Sequence, residues 1–359
     1  MKKDIKYKSA LKVQSAIQQP PSVNPNIAKR FLLTNDISDV GTYIDGILSG
    51  NSVSLSKAIT LVESSLPTHR DTAQKIIECC LPYTGNSIRI GITGVPGAGK
   101  STFIESFGTF LTANNKKVAV LAIDPSSQRT KGSILGDKTR MEELSNDEKA
   151  FIRPSPSAGS LGGVAQKTRE SMMLCEAAGF DVVIVETVGV GQSETAVHSM
   201  VDFFLLLMIA GTGDELQGIK RGIMEMADAL MINKADGDNI KRAQQAQAEY
   251  RSALQIFPKP ESGWMPQVGI MSALEKTGIE DVWKMILDYV SETTKNGYFH
   301  HRRKMQNQAI LTETIKDNIL SDFFNDKMVK EELKRYETLI QAGKINPYTA
   351  AYSLLNGYR

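Results

Sequence analysis

Cysteine is scarce in this chain. Three occur in 359 residues, Cys79, Cys80 and Cys175, at spacings that fit neither a disulfide framework nor a zinc site. Cys79-Cys80 stands in the apolar stretch IIECCL, which predicts packed, reduced thiols. Four histidines and no Cys-x-x-Cys leave a cargo metal such as nickel short of soft or imidazole ligands. Charge of one sign is also missing. The net charge is +2, so no basic field argues for a nucleic-acid partner. Long apolar runs are absent, the longest being FFLLLMIA over 203–210. A bilayer-spanning helix needs about 20 residues, so this run reads as a buried strand and no membrane role is expected. The opening MKKDIKYKSALKVQ lacks the apolar core of a secretory signal. The expected location is cytoplasmic, or the mitochondrial matrix if the source is eukaryotic. No internal repeat or low-complexity segment is found.

What is present changes character along the chain. Residues 1–30 are polar, carry Pro20-Pro21, and predict a flexible N-terminal arm. Residues 31–86 predict a helical segment in three pieces. Asp36-Ile37 opens the first, Ser52 caps the second, and Pro67-Thr68 leads into the third, which ends near Gly85. Over 87–295, short β-branched runs alternate with helical stretches: SIRIGIT, KVAVLAID, AFIRPSP, DVVIVET, FFLLLMIA, ALMINKA and PQVGIMS. Apolar strands separated by helices predict an α/β fold, a mostly parallel sheet covered on both faces. After Val290 no strand signal remains, and 296–359 predicts helices. The expected plan is a P-loop NTPase domain flanked by N-terminal and C-terminal helical segments.

Gly94, Val95, Pro96, Gly97, Ala98, Gly99, Lys100 and Ser101 fit G-x-x-x-x-G-K-[ST], and Thr102 continues into a helix. Such glycines let backbone N–H groups face phosphates, and the helix adds its positive end. Lys100 is expected at the β- and γ-phosphates and Ser101 at Mg²⁺. Asn233-Lys234-Ala235-Asp236 follows the strand ALMI and reads as N-K-x-D. Guanine offers N1–H and N2–H₂ on one edge, and the Asp236 carboxylate can accept both, whereas adenine would leave it unpaired. Lys234 can lie along the base, and Asn233 can tie its loop to the phosphate cradle. One strand later come Ser272, Ala273 and Leu274, a loop that can offer N–H groups to guanine O6. GTP/GDP with Mg²⁺ is the expected ligand set.

Asp124, Asp137 and Glu186 are the candidate acids for Mg²⁺, the first and last at strand ends, where parallel sheets bind ligands. Glu186-Thr187-Val188-Gly189 stands where many GTPases carry D-x-x-G, and the Gly189 amide is expected to sense the γ-phosphate. No Gln directly follows Gly189, and Gln192 comes three residues later, so slow intrinsic hydrolysis is expected. Lys100, Asp137, Glu186 and Lys220 are the catalytic candidates, Lys220 from the Gly-rich loop AGTGDELQGIKRG.

In order, GVPGAGKST, VLAIDPSS, GSILGDKTRM, IVETVGVGQSE, GDELQGIKRG and NKAD resemble the MeaB/ArgK-type GTPases of the SIMIBI class, over about residue 35 to the C-terminus. The resemblance implies a GTPase chaperone that gates adenosylcobalamin delivery to an acyl-CoA mutase, methylmalonyl-CoA mutase or a relative. It implies that the C-terminal helices are a homodimerisation arm. It also implies that Asp214, Glu215, Gln217 and Lys220 relay nucleotide state to the mutase. Two other readings stay open at this stage: a P-loop kinase acting on a protein or small molecule, and a metallochaperone GTPase.

Overall fold

The computed structural model describes residues 40–64, 66–124, 141–156, 161–187, 193–211 and 221–358. Among the described residues three helices come first, α1 (Val40–Leu48), α2 (Ser52–Glu63) and α3 (Pro67–Cys80). The alternating part follows: β1 (Ile88–Gly94), α4 (Lys100–Ala113), β2 (Val118–Asp124), α5 (Glu142–Ser145), β3 (Ala150–Pro156) and α6 (Leu161–Ala177). It continues with β4 (Val182–Thr187), α7 (Ser193–His198), β5 (Phe203–Ile209), α8 (Arg221–Met226), β6 (Ala229–Asn233), α9 (Ile240–Leu254), β7 (Gln267–Ile270) and α10 (Ile279–Lys295). The chain ends on α11 (Tyr298–Asn325), α12 (Lys327–Gln341) and α13 (Pro347–Tyr358).

Each of the seven apolar runs forms a strand, and all seven pair in parallel in the order β3-β2-β4-β1-β5-β6-β7. The inner strands β4, β5 and β6 read as continuous apolar runs because both faces are covered. In β4, Val182 and Ile184 enter one core with Phe103, Phe107 and Tyr289. Val183 and Val185 enter the other, with Leu55, Ile59 and Ile76 of α2 and α3. The period-two alternation of a strand sends successive side chains to opposite layers.

Local chemistry explains where the helices begin and stop. Asn51, not Ser52, caps α2: its Oδ1 accepts from Val53 N and Ser54 N at 3.0 Å each. Ser52 is already the first helical residue, and Asn is at least as good a cap as Ser. Pro67 sits in the first turn of α3, where a missing N–H costs nothing. That helix stops at Cys80 rather than near Gly85, giving way to a 3₁₀ turn over Leu81–Tyr83. Cys80 and Cys175 are buried, but Cys79 is exposed, because adjacent helical residues point 100° apart and only one can face the core.

The N-terminal strand ends are held by ions. Arg303 of α11 donates from Nη2 to Ser87 O and Asp202 Oδ2, both at 2.6 Å. Arg89 grips Glu176 through two bonds of 2.8 and 2.9 Å. Together these fasten the start of α11 beneath the sheet, at the end away from the phosphate loop.

Candidate functional site

At the carboxyl ends of the central strands, β1 runs into the loop 95–99 and then α4. The loop's tight path depends on two glycines. A Cβ at Gly94 would lie 2.3 Å from Leu207 O on the neighbouring strand. Gly99, the N-cap of α4, has φ +83°, and a Cβ there would meet Asn233 Nδ2 at 2.8 Å. Ala98 N donates to Val95 O and Phe103 N to Gly99 O, closing the turn onto the helix. The first-turn amides of α4 have no partner within the helix and carry its positive end, the usual seat for a phosphate. Val95 and Ala98 are buried, while Pro96, Gly97 and Thr102 are exposed.

Lys100 folds back over this loop, its ammonium donating to Gly94 O at 3.0 Å and Val95 O at 3.5 Å. Burial lowers its pKa from the ordinary lysine value, against the pull of the Glu186 and Glu194 carboxylates. Ser101 Oγ donates to Glu186 Oε1 at 3.2 Å. Glu186 pairs in register with Ile92 of β1 and Ala122 of β2, so the sheet itself carries its carboxylate to the start of α4. A hydroxyl and a carboxylate, both hard oxygen donors, make a pair suited to Mg²⁺. Thr187 Oγ1 bonds Thr93 Oγ1 at 2.9 Å, locking β4 to β1 just below the loop.

The base-side loops meet the cradle first through one shared side chain. Buried Asn233 donates from Nδ2 to Ala98 O at 2.8 Å and accepts at Oδ1 from Ala273 N at 2.9 Å. Lys234 turns the chain with φ +60° and is exposed. Asp236 Oδ2 accepts from Ser272 Oγ at 2.5 Å, and Ser272 Oγ in turn accepts from Glu275 N. Leu274 is 78% exposed. Ser106, on the inner face of α4, donates to Ala273 O at 2.6 Å. Phosphate cradle and base loop are thus joined twice.

Lys100, Ser101, Glu186, Asn233, Asp236 and Ser272 therefore gather at one end of the sheet. Asp124 ends β2 at that same end. Asp137, Gly189, Gln192, Asp214, Glu215, Gln217 and Lys220 lie outside the described residues. Three contributors escaped the sequence reading. Ser106 was legible only as a polar residue on the apolar face Phe103, Ile104, Phe107. Glu194, 1% exposed beside the Lys100 charge, ends the quoted GVGQSE but has no motif position of its own. Glu105 Oε1 accepts from Glu143 N and Leu144 N, pinning the short α5 to the phosphate-loop helix.

The chain is similar to known proteins over most of its length. The family model described as "Methylmalonyl Co-A mutase-associated GTPase MeaB" matches residues 55–328. The chain is 50% identical to "GTPase ArgK" of Escherichia coli over 287 residues, 80% of this chain and 86% of that one. It is 43% identical to the mouse "Methylmalonic aciduria type A homolog, mitochondrial" over 324 residues, 88% of this chain and 78% of that protein. Among solved structures, the one titled "Crystal structure of LAO/AO transport system kinase" superposes with a TM-score of 0.71 at 39% identity. It covers 90% of this chain and 98% of its own. This chain belongs to the MeaB family of methylmalonyl-CoA mutase-associated GTPases and is itself a P-loop GTPase.

Proposed function

We propose that this GTPase holds GTP with Mg²⁺ in the site just described and uses slow hydrolysis as a timer. The nucleotide state gates adenosylcobalamin loading of an acyl-CoA mutase, methylmalonyl-CoA mutase or a relative, and protects or reactivates that enzyme. The observation that carries the nucleotide part is the double hydrogen bond of Asn233, which sets the guanine-reading Asp236 and Ser272 at a fixed distance from the phosphate cradle. Family membership carries the mutase part.

In this reading each residue has a bounded task. Lys100 leaves its carbonyl partners for the β- and γ-phosphates. Ser101 and Glu186 hold Mg²⁺, with Asp124 and Asp137 completing the acid set. The ion, when bound, neutralises charge that develops on the phosphate oxygens. The Gly189 amide senses the γ-phosphate, and Asp214, Glu215, Gln217 and Lys220 pass that state to the mutase.

The C-terminal helices are the homodimerisation arm. Phe323, Val329 and Ala350 are buried on them, and the Tyr358 ring stands against Phe323. The helices leave Leu311, Ile315 and Ile319 half or more exposed at four-residue spacing on α11, with Met328 of α12 and Tyr352 of α13 exposed as well. Apolar side chains repeated along one helical face suit burial against a second copy.

The test is GTP turnover with Mg²⁺, with and without a purified adenosylcobalamin-dependent acyl-CoA mutase. Slow phosphate release that rises several-fold with the mutase supports the reading. Turnover indifferent to the mutase removes the partner assignment. A phosphorylated acceptor in place of free phosphate selects kinase chemistry instead.

A further inference from the structure

The short helix α7 directly follows the segment 188–192 that leaves β4 after Glu186-Thr187. It has six residues, too few to hold itself together, and its last carbonyls need outside donors. It lies flat on the central strand, because a Cβ on Gly91 would come within 2.9 Å of Val197 and 3.0 Å of Val201. Its first turn carries Glu194, whose charge acts on Lys100 at the phosphate loop.

Its other end is held by three side chains from two other helices. Arg302 and Gln306 of α11 donate to His198 O at 3.3 Å and Val201 O at 2.9 Å. Arg169 of α6 donates from Nη2 to Ser199 Oγ at 2.7 Å, and that hydroxyl donates on to Ala196 O. The other arm of the same guanidinium, Nη1, reaches Glu313 Oε2 of α11 at 2.5 Å. One buried arginine thus touches the end of α7 and the middle of α11 together. The contacts around it are incompletely satisfied. Arg169 Nε and Gln306 Oε1 are buried with no hydrogen-bond partner among the described residues. Buried polar groups normally find partners, so this set is suited to a second arrangement.

The neighbouring bond between body and arm is also polar. Arg70 of α3 donates to Asn318 of α11. Polar contacts can exchange partners over small shifts, whereas a packed apolar seam resists sliding.

We propose that Arg169 is a positioning residue that couples α7 to Glu313, so that nucleotide state at the phosphate loop sets the placement of the C-terminal helices. The inference rests on the proposed sensing of the γ-phosphate by the segment before α7. A displacement of α7 along the sheet changes the seat of Ser199. Arg169 then carries that change to Glu313, about four turns along α11 from its anchored start.

The test places spin labels at A248C on α9 and E337C on α12, in a C79S background that removes the exposed thiol. Labelled protein is diluted with unlabelled protein so that distances within one protomer dominate. Dipolar spectroscopy compares GDP with a non-hydrolysable GTP analogue, and a fluorescent-GDP titration runs in parallel. The expected result is a distance distribution that shifts between the two nucleotides. In E313Q, and separately in S199A, the two distributions should coincide while GDP affinity and melting temperature stay at the parent values. Binding of both nucleotides with no shift in the parent overturns the coupling alone. A full shift retained in either variant overturns the role of Arg169. Failure of the parent to bind guanine nucleotide removes the proposed function, and the coupling with it.

Discussion

Asn233 and Ala273, forty residues apart, are joined by a 2.9 Å bond from the Ala273 amide to the Asn233 side-chain oxygen. The same side chain reaches Ala98 on its other edge, so two loops and the phosphate cradle share one amide.

Removing that amide strands a buried carbonyl and a buried N–H. Asn233→Ala is expected to cost about 2 kcal/mol of stability and to weaken GDP binding at least tenfold, roughly 1.4 kcal/mol. Thermal unfolding with and without GDP, and a fluorescent-GDP titration, measure both. Unchanged affinity would show that the loops hold their spacing without it.

Asp236 and Ser272 set base choice in the proposed site. Asp236→Asn keeps the shape and an oxygen for Ser272 but trades an acceptor for a donor. Guanine then loses the partner for its amino group, and xanthine, with a carbonyl in that place, gains one. GTP affinity should fall on the order of 10- to 100-fold, with xanthine nucleotides binding more tightly than in the parent. Competition of GDP, XDP and ADP against a fluorescent nucleotide reads the order.

Glu186→Gln tests the metal assignment. The amide can still accept from Ser101 Oγ, now at 3.2 Å from the carboxylate, so the fold should persist. The lost charge should raise the Mg²⁺ concentration needed for half-maximal turnover and slow GTP hydrolysis on the order of 10- to 100-fold. GDP binding measured in EDTA should change little. A variant with parental Mg²⁺ dependence would move the metal away from Glu186.

His198 gives a pH test at the far end of α7. Burial, and then the Arg302 guanidinium, push its pKa down to about 4 from an ordinary 6.5. Its ring stands edge-on to Phe204 with centroids 5.5 Å apart. The folded state thus holds this imidazole neutral, and the unfolded chain takes up more protons between those two values. Its contribution is complete above pH 6.5 and is lost as pH falls toward 4, by on the order of 3 kcal/mol at the limit. His198→Asn should therefore show a flatter loss of stability than the parent over pH 6.5 to 4 in denaturant titrations. Parallel curves would mean that the imidazole charges freely in the fold.

Some of this protein is written in short stretches of sequence. The seven apolar runs determine seven strands, and the most apolar of them are the central ones, because a strand covered on both faces needs no polar side chain along its middle. GVPGAGKS marks its own turn through glycine spacing and the φ of +83° at Gly99, while the contacts that forbid a Cβ come from Leu207 on the adjacent β5 and Asn233 at the end of β6. N-K-x-D carries its chemistry in four neighbours. Smaller local choices were less legible: Asn51 and Ser52 both make good caps, and which of Cys79 and Cys80 faces the core depends on the helix phase.

Tertiary structure decided the rest, because it concerns which distant residues meet. Ser101 and Glu186 are 85 positions apart and come together only because β4 pairs beside β1 in one register. Ser106 gains its role from a loop 167 residues downstream. Arg169 and Glu313 stand 144 residues apart on helices whose periodicity marks both merely as polar positions. A sequence pattern reports what each residue offers to its near neighbours. The order of strands in the sheet and the packing of helices on its faces select the partner that accepts the offer.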